Sequence, residues 1–322
     1  MSDKISRRKF VAKSVLSSVG AVLAAGSAVQ RVQAQAAENP KPGANPPGPQ
    51  KALPTGKIRD MEISRLVLGG NLLTHFTHSR DLRYVYALAE HYNTDEKIME
   101  TLAVAEANGI NCLSMHNPEH PMSVLKKYRR ERGGKIKWII CPTAPIEEGM
   151  AKYSEDVQRL VDDGTDAIYV WGVRSDPLAK QGKIDLIAKA VEIARDHGLP
   201  SGVGAHSLDV VVACEKNKVN ADFYIKTFHH SKYPSAKLNF DSSWCSNPEE
   251  TAAFMKTVEK PWIAFKTMAA GAIPPADAFQ FAFSGGADFI LAGMFDFEIA
   301  TDVQIAKDVL SAQAKRERAW RA

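Results

Sequence analysis

Eight short apolar runs, each followed by a helix-type stretch, narrow the folds open to this chain more than any other feature. The runs fall at 66–68, 110–115, 137–141, 167–171, 201–205, 223–227, 262–265 and 289–291. Between them, 95–108 carries Ile98, Leu102 and Ala105 on one face and stops at Gly109, and 183–197 gathers Ile184, Ile187, Ala188 and Val191 and stops at Gly198. A helix over 156–163 ends at Gly164, and Asn247-Pro248-Glu249-Glu250 reads as a helix start: a cap residue, a proline in the first turn and acids at the positive end. Glycine after each helix suits a left-handed cap. Strict alternation implies a parallel sheet. Eight units in about 260 residues predict a closed (β/α)₈ TIM barrel rather than an open doubly wound sheet, and no GxGxxG follows the first run.

The chain begins with Ser6-Arg7-Arg8-Lys9-Phe10, then an apolar or small run over 15–29, then a small-x-small site ending at Ala34. This order of basic, apolar and cleavable parts is that of an export signal, and the paired arginines mark the twin-arginine route. The run is shorter than the roughly 20 apolar residues of a membrane span, so no stable membrane insertion is expected after cleavage. The expected organisation is a signal peptide over 1–34, a Pro-rich linker over 35–56 and one barrel over 57–322, with the twin-arginine translocation machinery as a partner and a periplasmic or other extracytoplasmic location. Residues 1–34 hold six Lys or Arg and one Asp in a chain of net charge +4, so the mature chain carries −1. The basic balance belongs to the signal, and nothing in it points to nucleic acid. Cys112, Cys141, Cys214 and Cys245 show no metal-ligand spacing and read as buried thiols.

Chemistry in such barrels sits where strands end. The predicted rim carries Gly69-Gly70-Asn71, His116-Asn117-Pro118-Glu119-His120, Pro142-Thr143, Trp171-Gly172, His206-Ser207, Lys226 with His229-His230, Lys266-Thr267 and Gly293-Met294. Residues 72–93, with His75, His78, Arg80, Tyr84 and Tyr86, are long enough to cover the mouth. His116, Glu119 and Lys266 are the central catalytic candidates, with His229 after them. An ammonium ending a buried strand must snorkel, pair or bind a ligand. The blander reading of His206 is a core histidine held through Nδ1.

Several stretches resemble the aldo/keto reductase superfamily. Met61-Glu62-Ile63-Ser64-Arg65-Leu66-Val67-Leu68-Gly69-Gly70 is similar to its N-terminal hairpin and first strand, and the stretch from Thr94-Asp95-Glu96 to Ala107-Asn108-Gly109-Ile110-Asn111 to its first helix and second strand. Gly202-Val203-Gly204-Ala205-His206-Ser207 resembles its GxSxHS strand, Phe265-Lys266-Thr267-Met268-Ala269-Ala270-Gly271 its seventh-strand run, and Phe283-Ser284 through Ala292-Gly293-Met294 its last strand. The resemblance implies carbonyl reduction with a nicotinamide cofactor, held near Asn71, His206, Gly271, Gly293 and Met294. The family's Asp-Tyr-Lys-His tetrad is not matched. Ser114 stands for the Asp, 115–120 holds no Tyr, Cys141-Pro142-Thr143 stands where the Lys belongs, and Trp171 where the His belongs. After the last strand the family has cations for a 2′-phosphate; here Asp296 and Glu298 favour NAD over NADP.

Three functions remain open from the sequence. The first is a divergent oxidoreductase acting on a small polar carbonyl, alcohol or sugar-like substrate. The second is a non-redox lyase, epimerase or hydrolase on the same barrel, with His116, Glu119, His206, His229 and Lys266 as acids, bases or ligands of a divalent metal. The third is a binding protein whose Trp171, Tyr84 and Tyr86 stack on a sugar.

Overall fold

A computed structural model describes residues 52–238, 240–312, 316 and 318–322. The expected signal peptide and nearly all of the linker lie outside the described residues.

The barrel closes as expected. Its strands are β3 (Leu66–Gly69), β4 (Cys112–His116), β5 (Lys137–Cys141), β6 (Ala167–Val170), β7 (Ser201–Ala205), β8 (Phe223–Thr227), β9 (Trp262–Phe265) and β10 (Phe289–Ala292). They pair in parallel in chain order, and β10 returns to β3 through Ile290↔Leu66, Leu291↔Val67 and Ala292↔Leu68. Side chains alternate across each strand. Val67, Cys112, Ile139, Cys141, Tyr169, Ile225, Ile263 and Phe289 fill the interior in one cluster, and the opposite faces pack under the helices. An antiparallel hairpin, β1 (Thr55–Ile58) and β2 (Met61–Ser64), adds Ile58, Met61 and Ile63 to the interior cluster. The hairpin takes in Thr55 and Gly56, which the sequence reading placed at the end of the linker.

Ten helices are described: α1 (Arg83–Tyr92), α2 (Asp95–Ala107), α3 (Glu119–Arg132), α4 (Ala151–Asp162), α5 (Gly172–Lys180), α6 (Ile184–Asp196), α7 (Leu208–Lys216), α8 (Pro248–Met255), α9 (Pro275–Ser284) and α10 (Asp296–Ala312). Local chemistry sets several ends. The Asn247 side chain accepts from the Glu250 N–H before α8, and Gly109 and Gly198 take left-handed backbone after α2 and α6. α4 begins five residues before its expected start, because Met150 opens it in a left-handed conformation without a side-chain cap. α1 and α5 are additions to the regular alternation, and α5 proves to matter for the site. Among the described residues, no helix is long and apolar enough to cross a membrane. All four cysteines are buried and free.

The C-terminal tail ties down the start of β10. Asp288 is fully buried, accepting from Trp262 N and Arg321 N and pairing with Arg318 at 2.7 Å. Arg318, also buried, donates to the carbonyls of Met255, Val258, Lys260 and Gly286. Removing one partner of a buried pair strands the other's charge. Arg318→Ala is therefore expected to lower stability by about 3–5 kcal/mol, read as a fall in the urea midpoint. A change under 1 kcal/mol would remove the tail from the stabilising structure.

Candidate active site

One cavity of about 620 Å³ opens over the C-terminal ends of the strands. Ser114, Met115 and His116 from β4, Tyr169 and Trp171 at the end of β6, His206 after β7, and Phe265 and Lys266 after β9 line its deep part. Gly69, Asn71 and Gly293 line it beside β3 and β10, and it extends along residues 266–271 to Phe295, Glu298 and Asp302.

His206 has a fixed role. Its Nδ1 lies 2.6 Å from Asp176 Oδ2, and Asp176 Oδ1 accepts from the backbone N–H groups of His206 and Ser207. A carboxylate can only accept, so Nδ1 carries the proton and Nε2 is left as the reactive nitrogen. Asp176 sits on α5, which starts at Gly172. A Cβ there would lie 2.9 Å from the His206 ring, so glycine is what lets helix and imidazole approach. The Nδ1 hydrogen bond of the bland reading is present, on a residue that also lines the cavity.

His116 stacks on Trp171 with ring centres 5.8 Å apart and planes 3° from parallel, and Phe76 meets it edge-on. No described residue hydrogen-bonds to the ring, and burial lowers its pKa to about 4. It is a neutral imidazole near neutral pH.

Lys266 follows β9 in left-handed backbone. Its Nζ bonds to Ser242 Oγ and lies over the Trp244 and Phe265 rings at 5.4 and 5.6 Å. Burial lowers its pKa to about 8, against the pull of Asp241 and Asp176. Ser242, Trp244 and Asp241 come from the loop after β8, which meets the loop after β3. Asp241 Oδ2 accepts from Ser79 N and Arg80 N, and Oδ1 lies 3.5 Å from His78 Nδ1. Residues 72–93 do reach the mouth, through Leu72, Phe76, Thr77, His78 and Val85. Non-glycine residues in left-handed backbone recur around it, at His75, Arg80, Asp241, Lys266, Ala269 and Ala270. Such strain persists where surrounding structure enforces it, often at functional sites.

His116, Lys266, Asn71, His206, Gly271 and Gly293 line the cavity; Glu119, His229 and Met294 do not. Glu119 is exposed at the first turn of α3, where a carboxylate suits the helix dipole. Met294 is buried among apolar side chains. His229 is a structural histidine: Nδ1 donates to the His230 carbonyl and Nε2 accepts from Cys245 N. Lys226 is buried, donates to the carbonyls of His206 and Thr227, and is absent from the cavity wall. Tyr84 is well exposed and Tyr86 donates to the His75 carbonyl, so neither joins Trp171 in the cavity. Among the described residues no three His, Cys, Asp or Glu side chains group as a metal site.

The positions expected for the tetrad hold other chemistry. Burial pushes the Cys141 thiol up to about 12, and the Tyr169 phenol well above its ordinary value. Sequence reasoning missed Tyr169, Asp176, Asp241, Ser242 and Trp244. Only Tyr169 carried a usable signal, the alternation that turns it inward two residues before Trp171.

The fold is a closed (β/α)₈ barrel, similar to solved structures that include aldo-keto reductases. A candidate aldo-keto reductase of Pseudomonas aeruginosa is 18% identical, with a TM-score of 0.54 over 80% of this chain and 97% of the other. A variant of the protein Gox0644, solved in complex with NADPH, is 11% identical, with a TM-score of 0.53 over 83% and 95%. The phospho-2-dehydro-3-deoxyheptonate aldolase of Thermotoga maritima is also similar, at 12% identity and a TM-score of 0.50 over 82% and 75%. No protein-family model and no curated relative matches the chain.

Burial lowers the His229 pKa to about 4. The unfolded chain then binds a proton that the folded chain refuses. Its contribution is complete above about 6.5 and is lost as pH falls towards 4, at roughly 1.4 kcal/mol per unit. His229→Gln is expected to flatten the acid side of the stability–pH curve by about one proton, leaving the parts due to His116 and His78. Urea melts between pH 4 and 8 check this, and an unchanged slope would refute it.

Proposed function

We propose that the barrel mouth is the active site of an oxidoreductase interconverting a small polar carbonyl and its alcohol with a nicotinamide dinucleotide, NAD rather than NADP. One observation carries the reading: a single cavity joins His206, His116 and Lys266 to a backbone turn and rim suited to a dinucleotide. Ala269, Ala270 and Gly271 are all left-handed, and the N–H groups of Ala270 and Gly271 have no partner among the described residues. Adjacent open N–H groups suit a phosphate. Above Gly293, the atoms nearest an added Cβ are those of Leu72 at 3.9 Å, which leaves room over the last strand.

Beyond β10 the carboxyl groups on the cavity wall are Glu298 and Asp302; Asp296, expected beside Glu298, is taken by Tyr92 and Lys97 and lies off the wall. Asp302 receives no hydrogen bond from described residues, and burial with Glu298 nearby raises its pKa to about 7. Glu298 accepts from Phe295 N. Carboxyl groups there accept from ribose hydroxyls and repel a 2′-phosphate. A neighbour in fold was solved with NADPH; the choice of NAD here rests on the carboxyl groups alone.

When bound, the dinucleotide supplies the hydride donor or acceptor. This chain's residues handle the proton. His206 Nε2, oriented by Asp176, takes it from an alcohol or returns it to a carbonyl oxygen. Tyr169, its phenol held protonated by burial, can exchange hydrogen bonds with a substrate oxygen but does not act as a base. His116, neutral and stacked on Trp171, walls the cavity beside them and can exchange a hydrogen bond with the substrate. Acid–base chemistry without hydride transfer is the second reading, favoured by the completeness of the His206–Asp176 pair without a cofactor.

Calorimetric titration separates the two. NADH is expected to bind at least tenfold more tightly than NADPH, and Asp302→Arg to reverse that order. Failure of both nucleotides to bind would leave the second reading. We further propose that the protein acts after twin-arginine export. Replacing Arg7 and Arg8 by Lys is expected to hold it in the cytoplasm, and an unaltered distribution in cell fractions would contradict export by that route.

A further inference from the structure

We propose that the cavity takes a small organic acid, with its carboxylate docked on Lys266 beside Ser242. The inference rests on reading the cavity as the active site and adds the class of substrate.

The Lys266 ammonium has three donors. Among the described residues Ser242 Oγ is its one hydrogen-bond partner, and no carboxylate pairs with it. The Trp244 and Phe265 rings flank the charge without accepting its remaining hydrogens in the manner of an oxygen. The two carboxylates whose fields reach it are engaged elsewhere. Asp241 holds Ser79 N and Arg80 N and faces His78, and Asp176 holds His206 and Ser207. Lys266 lines the cavity, and its remaining ammonium donors have no partner among the described residues. A half-buried cation left in that state is costly, and an entering carboxylate would form charge-assisted bonds with it.

The charge balance selects the anion. His78, whose Nε2 is 3.4 Å from Ser242 Oγ, is kept neutral by burial and by the nearby Lys266 charge, so it offers no second cation. Asp241, on the same wall, disfavours a dianion, so one ammonium and one hydroxyl suit a monocarboxylate better than a phosphate. Lys266 Nζ reaches Ser242 and Trp244 in the loop after β8. That direction leaves it to the substrate, and the backbone N–H groups to the dinucleotide.

The test is calorimetric binding of pyruvate and phenylglyoxylate, a small and a large 2-oxo acid, each against its neutral amide, at pH 7 with and without saturating NADH. At least one acid is expected to bind tenfold or more tightly than its amide. Lys266→Met is expected to abolish the preference and Ser242→Ala to weaken it, with folding checked by thermal melts. In the wild-type protein the affinity for the acid is expected to fall as pH rises through about 8, where the ammonium is lost. Absence of a preference for either acid in the wild-type protein overturns the inference and needs no variant. So does displacement of the acid by NADH, which would put Lys266 on the dinucleotide's phosphates. An acid preference that stands while NADH fails to bind supports the anion site and sinks only the hydride-transfer reading.

Discussion

Closure of β10 onto β3 is the constraint on which the rest of the molecule depends. A parallel sheet has edges whose backbone groups need partners, and joining the first strand to the last supplies them. Closure also brings the C-terminal end of every strand to one rim. His116, Trp171, His206 and Lys266 are far apart in sequence and meet only because their strands are neighbours in a ring. The burial that closure imposes sets their chemistry too. It keeps His116 neutral, lowers Lys266 towards neutrality and holds the Tyr169 phenol protonated.

The eight strands were legible because each is a run of apolar residues too short for a helix and bounded by polar or glycine punctuation. Helix ends marked by Gly109, Gly198 and Asn247 were legible for the same local reasons. The start of α4 was not, since Met150 caps it by backbone conformation alone. α5 broke the expected alternation: it lies between β6 and α6, where one helix was anticipated.

The site was legible only at the strand ends. His116, His206 and Lys266 could be picked out because a polar residue closing an apolar strand must have a partner or a purpose. What those partners are depends on tertiary structure. Asp176 reaches His206 from a helix thirty residues earlier, and Asp241 reaches Ser79 and Arg80 across more than 160 residues. His229 misled for the same reason. It looked reactive in the sequence, yet both ring nitrogens are spent on backbone groups of its own loop.

The buried cysteines have a further consequence. Burial pushes Cys141 and Cys214 up to about 12 and Cys112 higher still, so thiolate, the form that attacks disulfides and oxidants, is scarce at these three. No cysteine pair braces the barrel and none is open to solvent. Thiol-oxidising and thiol-reducing surroundings should therefore leave the folded protein alike. Once folded, it could pass between two such compartments without covalent rearrangement.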